Sequence, residues 1–436
     1  MSKRRRKQIV ERIKSLLIVL LSCSAVYLVV LTQSIAVPSG LLSRPSTGGG
    51  GLAVADPAET ARPLRMAAVI PAGGNEVQRF GVQYSEADTA DLFQQAYTIL
   101  VEALSSANQL KEVTEAEWRQ ALSAAPGLYF DWQGEVPLEV LDGWLSVENP
   151  MLTGSVRRMV LAAREGRVFL CYFDETAGRY YACASDVVSV NRLEEVVETL
   201  RDNGARFAFE TEEYGGLEPY TLILEKSLSP AVYASVDPLE GGQRLSALQE
   251  ALDFPENSAS FSGVGEQVIR SRNDTLRIGV DGTVTFEPAA EGSGRYILPG
   301  TGVYEAVEGC RDLAQQAVSA VGGEERLFLM SARETGEESW EIRFGYSLNG
   351  IQVRLGDDGW AARFTVEQGQ ITGFQLRMRC YTDAGTTTVV LPERQAMAAM
   401  EAKGHENEEL LLVYLDTGAE MVTASWAAAS ELSGRR

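Results

Sequence analysis

Hydrophobic and polar positions follow three successive patterns along the 436 residues. Ser15 to Val37 is a charge-free run of 23 residues, which as a helix reaches about 34 Å and spans a hydrocarbon core of about 30 Å. Positions 38–65 then lose all period: Pro38, Pro45, Pro57 and Pro63 surround Gly48-Gly49-Gly50-Gly51, the composition of a flexible tether that buries nothing. From Met66 onward, apolar residues recur with helical or strand spacing, as in a folded body.

In the first half of that body, Glu86 to Leu104 places Leu92, Ala96, Leu100 and Leu104 on one face, with Phe93, Tyr97 and Val101 beside them, so it reads as an amphipathic helix. Thr114 and Glu117 open a second helix as a capping box. Leu128 to Trp132 reads as a short aromatic strand, and Pro137 suits the start of a helix carrying Leu138, Leu141, Trp144 and Leu145. Arg167–Tyr172 and Arg179–Ala184 form a hairpin, and Leu193–Leu200 a helix ending near Asn203-Gly204.

Strand signals are cleaner after residue 256. Leu276-Arg277-Ile278 and Val284-Thr285-Phe286 flank Val280-Asp281-Gly282, a register that sets Ile278 opposite Val284 and Leu276 opposite Phe286. Val303–Val321 is a helix, and Trp340, Ile342, Phe344, Tyr346 and Leu348 alternate as a half-buried strand. Parity shifts between Ile371 and Phe374, which asks for a bulge at Thr372-Gly373. Pro392 starts a helix with Ala396 and Met400, and Leu410–Leu415 and Met421–Trp426 are the last strands. The fold class is α+β, with helices packed on antiparallel sheets. The expected organisation is a tail (1–14), an anchor (15–37), a linker (38–65), a first α+β domain (66–256) and a second (257–430).

Charge gives this order a direction. The whole chain carries −21, yet its first fourteen residues hold seven basic side chains against Glu11, a net of +6, so the remainder carries −27. A basic flank stays cytoplasmic, which makes the chain a single-pass membrane protein with its acidic bulk outside the cell. Two other readings of the apolar run are a signal peptide cleaved after Ser34-Ile35-Ala36 and a lipoprotein signal at Cys23. The length of the run favours the anchor. The acidic balance argues against nucleic acid as a partner.

Candidate chemistry is sparse. His405 is the single histidine, which removes Ser-His-Asp and Cys-His catalysis and His-ligated metals unless it serves alone. G-x-S-x-G, S-x-x-K and G-x-x-x-x-G-K-[ST] are missing. Gly263-Val264-Gly265 and Gly300-Thr301-Gly302 lack the third glycine of a dinucleotide fingerprint. Glu408 and Glu409 beside His405 read as a solvated turn, and Asp174-Glu175 as a hairpin loop. No cofactor, metal or catalytic residue is expected.

The order of basic tail, single anchor and outer α+β body resembles the YycH/YycI family, the accessory proteins of the WalK/YycG-type cell-wall sensor kinase of Gram-positive bacteria. The segment Leu276 to Phe286 is similar to the YycH hairpin. Phe344 to Val353, continuing through Phe364 to Ile371, resembles the C-terminal domain that both proteins share. The resemblance implies regulation by contact: the anchor and outer body pair with a sensor histidine kinase of the two-component system that controls cell-wall metabolism, either alone or with a second accessory membrane protein. The Gly-rich linker departs from the family pattern.

Within the anchor, Ser22, Cys23, Ser24 and Ala25 form a small-residue notch in a bulky helix, so Ser22, Ser24 and Ala25 are the candidate partner-binding face. The competing reading is that the serines are satisfied by their own backbone. Cys171 and Cys183 fall near one another across the expected hairpin and are a candidate disulfide, or else remain free buried thiols. Two other functions stay open: an anchored sensor module whose second-domain sheet holds a peptide or wall fragment, and a glycan hydrolase using two carboxylates.

Overall fold

A computed structural model of the chain describes residues 57–432, apart from positions 75, 240, 241, 243, 256, 264, 273, 289–293 and 324. The tail, the anchor and the linker up to residue 56 lie outside the described residues. Among the described residues no helix is long and apolar enough to cross a membrane.

The first sheet runs β2 (Val77–Val82), β1 (Arg65–Pro71), β4 (Gly127–Pro137), β5 (Ser155–Arg164), β6 (Arg167–Asp174), β7 (Arg179–Ala184) and β3 (Lys111–Val113), every neighbour antiparallel. Both of its faces are covered. Met66, Ala68, Leu128 and Phe130 point into the main core with Leu92, Phe93, Ala96 and Leu100 of helix Glu86–Ser105. Ala67, Tyr129, Val160 and Cys171 point the other way, against Trp118 and Leu122 of helix Glu115–Ser123. Two-sided burial explains why β4 reads as a short aromatic stretch rather than an alternating strand and why β1 carries no strand pattern. The capping box forms as expected, with Glu117 N–H donating to Thr114 Oγ1 at 3.3 Å and Thr114 N–H donating to Glu117 Oε2 at 2.9 Å.

A short ladder of β8 (Arg206–Phe207) and β9 (Leu222–Ile223) leads to the second sheet. It runs β11 (Ala259–Ser262), β12 (Glu266–Ser271), β13 (Asp274–Gly279), β14 (Thr283–Glu287), β19 (Gln370–Arg377), β18 (Ala362–Glu367), β16 (Ser339–Leu348) and β15 (Arg326–Gly336). From the end of β16 it continues through β17 (Ile351–Leu355), β21 (Leu410–Asp416) and β23 (Ala424–Ala428). The β13–β14 hairpin has the expected register, with Gly282 at φ +78°, and the β18–β19 register shifts so that Thr372 is the extra residue. The sheet departs from the antiparallel expectation where β17 pairs in parallel with β21. A small third sheet joins β10 (Ala231–Val236), β20 (Cys380–Thr387) and β22 (Met421–Val422).

Two expectations about organisation are corrected. The linker does not extend to residue 65: Pro57–Ala61 is helical, Ala61 and Leu64 are buried, and Arg65 already begins β1. Nor do the described residues divide at 256/257, since residues 57–432 belong to one compact unit and one core cluster takes side chains from both halves. The join is physical at two places. Helix Leu138–Leu145 packs on helix Val303–Ala320, where Trp144 Nε1 donates to Glu308 Oε1 at 2.7 Å. β4 meets β15 through the parallel bridge Glu135–Ser331, and a Cβ at Gly134 would lie 1.9 Å from the Leu329 carbonyl oxygen. Only glycine permits that approach.

Candidate functional site

At the join between the halves, β1, β4 and β5 place Arg65, Asp131 and Arg158 in one cross-strand row. Successive strand residues normally face opposite sides, but the register slips between Val156 and Met159, and that bulge turns Arg157 toward the same carboxylates as Arg158. Glu409, at the entrance to β21, closes the group. Its carboxylate accepts from Arg65 Nη1 at 2.8 Å and from Arg157 Nη2 at 2.7 Å, and lies 3.2 Å from Arg158 Nη2. Asp131 accepts from Arg157 Nε at 3.2 Å and Nη2 at 3.3 Å. Arg158 reaches outward to Glu218, with Nη1 at 2.7 Å from Oε1. The cluster is therefore three guanidinium groups against three carboxylates, with Arg65, Asp131 and Glu409 almost wholly buried.

Burial alone would raise the Glu409 carboxyl, but Arg157, Arg158 and Arg65 hold it well below the usual carboxylate range. Burial likewise opposes the charge of Arg157 and Arg158, and their acidic neighbours more than restore it. Glu409 stays ionised and fixed, so it cannot deliver a proton as a general acid. The reading of Glu408-Glu409 as a solvated turn is corrected here. Glu409 is 3% exposed, and only Glu408 stays at the rim, where its Oε1 is 3.1 Å from His405 Nδ1 and its Oε2 accepts from Ser430 N–H at 2.9 Å.

Above the cluster opens a cleft of about 580 Å³. Its walls are Arg157, Arg158 and Glu218 on one side and the rings of Phe173 and Tyr180, 4.8 Å apart, on another. Glu175, one residue beyond β6 and on the Phe173 side of it, is half-buried at the edge. Burial pushes its carboxyl up to about 7, against the pull of Arg157 and Arg158. Among the described residues, no group of His, Cys, Asp and Glu is arranged to hold a metal ion.

The residues singled out from sequence do not gather here. Ser22, Ser24 and Ala25 lie outside the described residues. Cys171 and Cys183 are free thiols: the hairpin pairs Cys171 with Ala182 and Leu170 with Cys183. A register one residue away from the expected one puts the two sulfurs on opposite faces of the sheet, Cys171 in one core cluster and Cys183 in the other. The cluster residues were missed, although two signals mark them. Arg157-Arg158 interrupts an otherwise apolar strand, and Glu409 directly precedes five consecutive buried residues, where a carboxylate needs a partner.

No protein-family model matches the chain, and no curated protein matches it. Among solved structures, the crystal structure of YycH from Bacillus subtilis superposes with a TM-score of 0.56 at 10% sequence identity. The match covers 85% of this chain and 94% of that one, so the chain has the fold of YycH over most of its length.

Proposed function

We propose that the chain is a membrane-anchored extracytoplasmic regulator that modulates, by direct contact, a two-component sensor histidine kinase controlling cell-wall metabolism. The observation that carries this reading is the fold likeness to YycH over nearly the whole of both chains, which agrees with the sequence resemblance of Leu276–Phe286 and Phe344–Ile371 to that family. The basic tail and the uncharged run Ser15 to Val37 give it a single-pass place in the cell membrane with the N-terminus inside. Regulation requires that it bind two kinase states unequally, by about 1–3 kcal/mol. The partner is the kinase, engaged either alone or together with a second accessory membrane protein of the resembled type.

Within the anchor, the notch of Ser22, Ser24 and Ala25 is the docking face for the kinase's own membrane helices, because close approach and interhelical hydrogen bonds drive association in lipid. Replacing Ser22 and Ala25 with Leu is expected to reduce copurification of the kinase from membranes. Unchanged capture at equal expression removes the notch from the account. A glycan hydrolase needs a general acid and a second carboxylate. In the cleft Glu218 and Glu409 are committed to arginines, so that reading would have to rest on Glu175 with Glu135 or Glu408.

A further inference from the structure

The cleft over the arginine cluster does not end at Glu175. A second opening of about 660 Å³, reaching toward Val303 and Trp340, shares Glu135 and Glu175 with it. Together they form an elongated groove lined by seven carboxylates and three guanidinium groups. Arg157 and Arg158 are taken up by Asp131, Glu218 and Glu409, and Arg333 lies 3.6 Å from Glu135. Glu139, Glu175 and Glu334 have no bonded cation among the described residues, so the groove keeps uncompensated negative charge along its length.

Two further features say what kind of cation fits. Phe173 and Tyr180 present half-exposed rings beside Glu175, and a cation held between a carboxylate and an aromatic face gains from both. Arg157 has Nε and Nη2 committed to Asp131 and Glu409, while its Nη1 has no protein acceptor among the described residues. A donor left open on the floor matches a backbone carbonyl, which a polypeptide supplies and a simple polyamine lacks. Burial holds the Glu175 carboxyl up at about 7 against the pull of Arg157 and Arg158, and a cation seated beside it would favour its ionised form.

We propose that this groove binds an extended basic polypeptide segment, one lysine or arginine of which seats its cation between the Glu175 carboxylate and the Phe173–Tyr180 ring pair. The site takes a protein ligand by charge and aromatic contact, and it stands independently of the kinase reading.

The test is calorimetric titration of the full chain in detergent micelles with an acetylated, amidated hexapeptide of alternating lysine and serine at physiological ionic strength. Binding is expected, weakened about fivefold or more in Glu175→Gln and unchanged in Glu420→Gln, an exposed carboxylate away from the groove. The same peptide with acetylated lysines is expected not to bind. Equal affinity in Glu175→Gln at an unchanged melting temperature, equal binding of the acetylated peptide, or full displacement by spermidine at matched charge would each overturn the proposal. A kinase that still responds to Glu175→Gln protein leaves the regulatory reading standing whatever the peptide result.

Discussion

Removing the Glu409 carboxylate leaves Arg65, Arg157 and Arg158 facing Asp131 and Glu218 alone. A buried ion pair adds little over an apolar substitute, but breaking one strands a charge and costs about 3–5 kcal/mol. Glu409→Gln is therefore expected to lower the unfolding free energy by that order in a urea titration followed by tryptophan fluorescence. A loss within about 0.5 kcal/mol, the scale of surface substitutions, would show that the cluster is not the rivet described. The sign with pH follows from the depressed carboxyl. Its contribution is complete above the ordinary glutamate pKa of about 4.3 and is lost as pH falls through the lower folded value, so it persists into stronger acid.

Asp142 is the opposite case. It is buried on helix Leu138–Leu145 without a cation, and burial pushes its carboxyl to about 7, the Asn149 backbone N–H only partly compensating. The native state holds this proton more tightly than the unfolded chain, so stability falls as pH rises from about 4 to about 7 and then levels off. Asp142→Asn keeps an acceptor for Asn149 and removes the penalty. It is expected to stabilise the protein by about 1–2 kcal/mol at pH 8, discounted for residual solvent access, and by almost nothing at pH 4. An equal gain at both pH values contradicts the assignment.

At the scale of elements, local chemistry was readable and long-range covering was not. The β13–β14 register and the Thr372 bulge follow from period-two alternation and turn residues within a dozen positions. The Thr114 capping box lies within one turn. By contrast, β1 and β4 are buried on both faces, by helix Glu86–Ser105 on one and helix Glu115–Ser123 on the other, which erases the alternation that would announce them. The Arg65–Glu409 contact spans 344 positions, so the acid was visible in the sequence and its partner was not. The cysteine pair failed on a single residue of register, the smallest error that moves a side chain through a sheet. Gly134 is the element-scale test of the join. Gly134→Ala must push its Cβ against the Leu329 carbonyl oxygen, backbone that cannot rotate away, and is expected to cost about 1–3 kcal/mol or more in the same urea titration. Wild-type stability in that variant would mean that β4 and β15 do not meet as described.

For the whole molecule, the charge of −21 conceals a division of labour. In the proposed membrane placement a basic tail of +6 would hold the cytoplasmic leaflet, each basic residue near anionic lipid contributing about 1 kcal/mol. In the same proposal the remaining −27 would keep the body away from anionic surfaces. The α+β body was legible in outline, but its two halves share a core, so it presents itself to a partner as one unit rather than two. If anchored as proposed, the body would act at high effective concentration, so weak differential contact with a membrane neighbour would suffice. The account rests on that contact having a consequence. Purified kinase and the full chain, reconstituted together in proteoliposomes, give the direct measurement: the rate of kinase autophosphorylation with and without the protein. A change of about 5- to 150-fold, in either direction, is the result expected from a coupling of about 1–3 kcal/mol. An unchanged rate, with both proteins incorporated at equal density and in matching orientation, would contradict the central claim.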